Sequence, residues 1–204
     1  ISRVIRKGSL SITADKSSIP FYADNVPHSS TDKITLSISA VNYKNTPKLY
    51  LNGVLQTTES KSNYTFEVSQ SAFKNTDTIV AKIICGQDID SIVLSKALDI
   101  GSLTLTADKT SFEYYADNVA VNTSEKATIS IEQQGYSKMP DLVLNSVKTT
   151  YTSTGNKGSY SIPVTALQDI SSLEVKIANE KEMKALQIIK TKQNPSITLQ
   201  VSTP

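Results

Sequence analysis

Along most of this chain apolar and polar residues alternate one for one. In "LSIT" the apolar Leu10 and Ile12 alternate with Ser11 and Thr13, and in "KITLSIS" the residues Ile34, Leu36 and Ile38 alternate with Thr35, Ser37 and Ser39. Leu103 and Leu105, then Ala127, Ile129 and Ile131, repeat the pattern further on. A period of two belongs to strands with one face in a core and the other in water. Turn formers punctuate the runs: "TADK", "YADN", "NTPK", "LNG", "CGQDID" and "TGNKG". In the second half of the chain this predicts strands near 102–106, 114–115, 127–133, 141–145, 160–164, 173–178 and 184–190. The stretch "KEMKALQII" has the composition of a short amphipathic helix as well, but its equivalent "DIDSIVLSKAL" is rich in Ile and Val. Two copies of one fold take the same structure, so a strand is predicted for both.

The copies are plain in the sequence. "GSLSITADKSSIPFYADNV" at residues 8–26 matches "GSLTLTADKTSFEYYADNV" at 101–119 with an offset of 93, and 22 of the 45 positions in 8–52 are identical to their partners in 101–145. The register loosens afterwards, where "YTFEV" corresponds to "YSIPV" and "TIVAKI" to "SLEVKI". "PSITL" at 195–199 falls on "GSLTL" at 101–105, which predicts the first strand of a further unit, and "ISRVIRK" reads as the tail of a preceding one. A unit of this size can hold its own core. The predicted fold is therefore all-β: two tandem immunoglobulin-like β-sandwich domains at 8–100 and 101–194, flanked by residues 1–7 and 195–204. The Cys…Trp…Cys pattern of antibody domains is absent. No Gly/Ser- or Pro-rich linker separates the domains, since "VLSKALDI" runs directly into "GSLTLT", so a semi-rigid rod is expected.

Charge and rare residues narrow the chemistry. Lys and Arg total 21 against 19 Asp and Glu, a net charge of +2 with the signs interspersed, which leaves no basic field for nucleic acid. No apolar run approaches the ~20 residues of a membrane-spanning helix. The chain opens on "ISRV" without Met or an apolar targeting segment, as a fragment or processed product would. The single cysteine, Cys85 in "IVAKIIC", excludes an internal disulfide and reads as a buried structural thiol. The one histidine, His28, has Val121 as its counterpart and reads as a solvated loop residue. Nothing brings two of the carboxylates Asp15, Asp24, Glu59 and Asp77 to the spacing that glycoside hydrolysis needs. Phosphate loops, zinc-type spacings and EF-hand loops are missing. A non-enzymatic chain without a cofactor is expected.

Two constellations remain. "TADK…YADN" repeats Asp15, Asp24 and Asn25 as Asp108, Asp117 and Asn118. Such oxygen donors suit calcium, but Asp and Asn also close turns through side-chain-to-backbone bonds, and the turn is the reading adopted. The loop belongs at the pole where the last strand leaves, next to the following domain. Tyrosines suited to stacking on sugars mostly recur in both copies: Tyr22, Tyr43, Tyr50 and Tyr64 in the first, Tyr114, Tyr115, Tyr136 and Tyr160 in the second. Tyr151, in the polar stretch "KTTYTSTGNKGSY", has no clear counterpart and is the candidate ligand-binding residue, within the one distinctive loop at 149–158.

The opening strand "SLTLT" with its Asp/Asn turn, and the closing strands "IDSIVLSKALD" and "MKALQIIKTKQ", resemble Ig-like modules of bacteriophage tail-tip, host-specificity and fibre proteins. The glycine-rich segment that often follows the closing strand is replaced by "NPSITL". Tandem Ig-like domains of bacterial surface adhesins fit almost as well. What the resemblance implies is a structural module of a virion tail, or of an extracellular surface, that extends as a rod and assists attachment. Its implied partners are neighbouring Ig-like domains of the same chain, other tail proteins and host-surface glycans, without nucleic acid or membrane insertion. The alternatives are a glycan- or protein-binding adhesion module and an accessory domain of a larger enzyme.

Overall fold

In the computed structural model, residues 7–56 and 61–196 are described. The chain divides into two compact units, Ile1–Asp99 and Ile100–Pro204. The first contains β1 (Ser9–Ala14), β2 (Ser18–Phe21), β3 (Lys33–Val41), β4 (Lys48–Leu51), β5 (Val54–Leu55), β6 (Asn63–Ser69), β7 (Thr78–Cys85) and β8 (Asp88–Leu98). The second contains β9 (Ser102–Ala107), β10 (Ser111–Tyr114), β11 (Lys126–Gln134), β12 (Asp141–Leu144), β13 (Val147–Thr149), β14 (Thr152–Thr154), β15 (Lys157–Pro163), β16 (Ser172–Ala178) and β17 (Met183–Lys192). A short 3-10 turn follows β6 at Gln70–Phe73 and β15 at Val164–Leu167.

Each unit is a sandwich. In the first, one sheet has the order β1-β3-β6 and the other β2-β8-β7-β4-β5. In the second, the sheets are β14-β15-β11-β9 and β10-β17-β16-β12-β13. The opening strand is split between the sheets: β1 runs antiparallel to β3, whereas β2 crosses over and runs parallel to β8. β9 and β10 do the same against β11 and β17. This split first strand, with Greek-key connections between two sheets, is the immunoglobulin-like arrangement. The whole is a tandem of Ig-like β-sandwiches.

The alternation seen in the sequence sets the cores. β3 buries Ile34, Leu36, Ile38 and Ala40, and β7 buries Ile79, Ala81, Ile83 and Cys85. The second unit buries Ala127, Ile129, Ile131 and Gln133 on β11 and Leu173, Val175 and Ile177 on β16. Each large apolar side chain contributes about 1.5–3 kcal/mol of transfer free energy. No disulfide joins the sheets; Cys85 is a free, buried thiol whose Sγ lies 3.2 Å from the Asn45 carbonyl, and burial pushes its pKa up.

Several local expectations shift. The strand predicted at 114–115 is β10, which ends at Tyr114 and leaves Tyr115 in a turn. β13 and β14 were not predicted, because three-residue polar edge strands carry no usable alternation. "KEMKALQII" lies in β17 as a strand, pairing along β16 from Ser172↔Ile189 to Ala178↔Met183. The strand expected at 195–199 falls from residue 197 onward outside the described residues, as do residues 1–6 and Glu59.

Candidate functional site

Three polar devices recur in both units, and each has a job in the fold. The first is the aspartate of "TADK". Asp15 Oδ1 accepts the backbone N–H groups of Thr35 at 2.8 Å and Lys16 at 2.9 Å, while its own N–H donates to the Thr35 carbonyl. Asp108 accepts from Thr128 at 2.7 Å in the same way. The carboxylate thus satisfies the neighbouring strand where β1 or β9 leaves its sheet. The Thr35 N–H is the main reason Asp15 titrates below the usual carboxylate range. Lys16 pairs with Asp32, and Lys109 with Glu125, across the same corner.

The second device is "YADN". The Asn25 N–H donates to the Tyr22 carbonyl at 2.9 Å and the Tyr22 N–H to the Val26 carbonyl at 2.8 Å; Asn118, Tyr115 and Val119 repeat this at 3.0 and 2.8 Å. Asn25 and Asn118 stand at φ 64° and 69°, the left-handed region that asparagine tolerates better than other side-chain-bearing residues. Their side chains face a lysine from the last strand. Lys96 Nζ donates to Asn25 Oδ1 at 2.6 Å and lies 5.2 Å from the Phe21 ring centroid. Lys190 Nζ donates to Asn118 Oδ1 at 2.8 Å and to the Gln168 carbonyl at 2.7 Å, 4.5 Å from the Tyr114 ring centroid. Only 3% of the Lys96 side chain is exposed, and Asp77 Oδ1 lies 3.3 Å from its ammonium. The turn sits where the last strand leaves, since the Asp99 N–H donates to the Phe21 carbonyl and the Gln193 N–H to the Tyr114 carbonyl.

A lysine ammonium therefore occupies the asparagine oxygen that a calcium ion would need. Among the described residues, no group of three or more His, Cys, Asp or Glu side chains is placed to hold a metal ion.

The third device explains the repeated "GSL". A Cβ on Gly8 would stand 2.5 Å from Tyr43 Cζ, and one on Gly101 would stand 2.3 Å from Tyr136 Cζ. Each glycine is the floor on which a tyrosine ring lies. The Tyr43 hydroxyl donates to Asp88, which pushes its pKa up to about 12. The Tyr136 hydroxyl donates to Glu182 Oε2 at 3.2 Å. The same Glu182 oxygen accepts the Leu103 N–H at 3.0 Å, as Asp90 accepts the Ile12 N–H at 3.0 Å. Lys184 is the main cause holding Glu182 below the usual range.

The remaining candidates lie apart from one another. Tyr151 is half-buried: its hydroxyl donates to the Pro140 carbonyl at 2.6 Å and its ring lies against Gly158, where a Cβ would be 2.4 Å from Cε2. Burial raises its pKa. Tyr64 makes the matching bond in the first unit, to the Pro47 carbonyl at 3.4 Å, so Tyr151 has a counterpart in contact though not in sequence. His28 is not merely solvated: Nε2 lies 2.8 Å from Asp99 Oδ2 and the ring packs on Tyr22 with centroids 4.1 Å apart. Among the described residues, no helix is long and apolar enough to cross a membrane.

What sequence reasoning passed over is the outer face of the first unit's larger sheet. Lys44, Lys48, Tyr50 and Ile84 line a groove of about 690 Å³ between the β3–β4 loop and the β7–β8 turn. The signal was the list of positions at which the two copies disagree.

No family model matches the chain, and no curated protein matches it. Among solved structures it is similar to the titin domains Z1Z2 in complex with telethonin, at 9% identity and TM-score 0.44, covering 95% of this chain and all of that one. It is also similar to the titin Ig tandem A164-A165, at 9% identity and TM-score 0.31, covering 92% and 99%. A further similarity is to Dpr2 Ig1-Ig2 in complex with DIP-Theta Ig1-Ig3, at 12% identity and TM-score 0.34, covering 90% of this chain and 65% of that one.

Proposed function

We propose that the chain is a non-catalytic structural module, two Ig-like domains in series that form a semi-rigid rod within a bacteriophage tail or fibre, or on another extracellular surface. The observation that carries this reading is the duplication of the three polar devices. The groups at the centre of these devices, Asp15 and Asp108, Asn25 and Asn118, and Tyr43 and Tyr136, are each bound to backbone or to a side chain of their own unit, and such groups are committed to holding a sandwich together. Reactive chemistry needs groups left open to a substrate. The rod is supported by the connection: only residues 99–101 lie between the end of β8 and the start of β9. The placement in a virion rests on the sequence resemblance of the opening and closing strands.

Small-angle X-ray scattering of the intact chain tests the rod. A domain of ~100 residues has a radius of gyration of about 13 Å. Strands of up to 11 residues in β8 span about 36 Å, so an end-to-end pair has centres about 40 Å apart and an overall radius of about 24 Å. Folding back side by side gives about 18 Å. A value near the smaller figure rejects the rod.

A further inference from the structure

The fold is built twice, so a residue the fold requires should appear twice. The groove beside Tyr50 fails that test at nearly every position. Lys44, Asn45, Thr46, Lys48 and Tyr50 correspond to Ser137, Lys138, Met139, Asp141 and Val143, and Ile84 and Gly86 correspond to Ala178 and Glu180. The sandwich therefore folds without any of the first unit's side chains there. What they supply instead is a chemically consistent surface. Lys44 and Lys48 are exposed, and no carboxylate lines the groove. Neither lysine has an ion pair among the described residues, whereas Lys33, Lys148 and Lys176 elsewhere are paired. Lys82, opposite Tyr50 in the β4–β7 register, adds a third cation on the same face. Asp88 and Asp90, the nearest acids in sequence on β8, are turned to Tyr43 and to the Ile12 N–H. In the second unit the equivalent place holds Asp141, paired with Lys148 at 2.7 Å, and Glu180.

We propose that this groove of the first unit binds an anionic polysaccharide. Phosphate or carboxylate groups of the polymer accept hydrogen bonds from the Lys44 and Lys48 ammonium groups. Tyr50 and Ile84 offer apolar surface to the C–H face of a sugar ring, the usual use of an aromatic at a carbohydrate site. Salt weakens such binding because the cations are solvent-exposed. The site adds ligand binding to the structural role and stands whether or not the two units form a rod.

The test is biolayer interferometry on the immobilised intact chain at low salt, with poly(glycerol phosphate), polygalacturonate and neutral dextran as the probes. Saturable binding of either anionic polymer and none of dextran is expected, and which polymer binds distinguishes phosphate from carboxylate. Lys48→Gln combined with Tyr50→Ala should weaken that binding at least tenfold with the melting curve unchanged, while Lys138→Gln in the second unit leaves it alone. Absence of binding by both anionic polymers overturns the proposal. So does equal binding of dextran, or equal loss in Lys138→Gln, which would mark attraction to charge anywhere on the surface.

Discussion

Replacing Gly101 with alanine isolates the tyrosine floor from every other contact. Gly101 is not among the residues of positive φ, so alanine meets no backbone penalty there. The added Cβ would lie 2.3 Å from Tyr136 Cζ, 2.6 Å from Cε1 and 2.6 Å from the hydroxyl. Ordinary carbon contact begins near 3.5 Å, so the ring must retreat by about 1 Å. Tyr136 is 6% exposed and its hydroxyl is tied to Glu182, so it has little room to move. Overpacking costs about 1–3 kcal/mol, and a strained or lost hydrogen bond adds about 1. Against this, alanine stiffens the unfolded chain by about 0.4–1 kcal/mol. The net expectation is a loss of about 1–3 kcal/mol, confined to the second unit. Calorimetry of the intact chain, with hydrogen exchange to assign each transition to its unit, measures it. In a Tyr136→Ala background the same alanine should become neutral or stabilising, because its obstacle is gone. A Gly101→Ala chain as stable as the parent, or an equal loss in both backgrounds, would refute the packing account.

Lys190→Met keeps the stem over Tyr114 but removes the ammonium from Asn118 Oδ1 and the Gln168 carbonyl; a loss of about 1.5–3 kcal/mol in the second unit is expected by urea unfolding. Tyr151→Phe deletes the bond to the Pro140 carbonyl and should cost about 1 kcal/mol, measured the same way; no change would return Tyr151 to the list of free surface groups. The folded-state pKa values of Asp15 and Glu182 lie below 3.8 and 4.5, so their stabilisation is complete above those values and is lost as pH falls from there through the lower folded-state values. Tyr43, raised from 10.0 to about 12, keeps a proton that the unfolded chain releases, so stability falls again as pH climbs between those two values. A urea midpoint measured across pH should therefore show a plateau bounded by both windows.

Much of the fold was legible because alternation and duplication point the same way. Ile34, Leu36 and Ile38 announce one buried face, and the copy at Ala127, Ile129 and Ile131 repeats it. The second copy also decided β17, where "KEMKALQII" alone is ambiguous between helix and strand. β13 and β14 were hidden because edge strands this short gain little from burial and show no pattern. The Lys96–Asn25 and Lys190–Asn118 contacts span more than seventy residues, so no local rule reveals them. The one visible trace was a lysine repeated in each closing strand. Tyr151 looked distinctive because its sequence neighbours differ, yet its hydroxyl reaches the proline carbonyl that Tyr64 reaches in the other unit. Lys44 and Lys48 were missed for the opposite reason, since agreement between copies drew attention and disagreement carries the difference in surface chemistry.

The central claim is that the duplicated Asp/Asn turns are architecture. Thermal unfolding of the intact chain in EGTA and in millimolar calcium, beside an Asn25→Ala/Asn118→Ala variant, tests it most directly. The account predicts identical melting of the parent in both buffers and a lower midpoint for the variant in both, because each asparagine oxygen already serves a lysine. A calcium-dependent rise in the parent that disappears in the variant would contradict it, since a ligand bound only by the folded state stabilises by mass action.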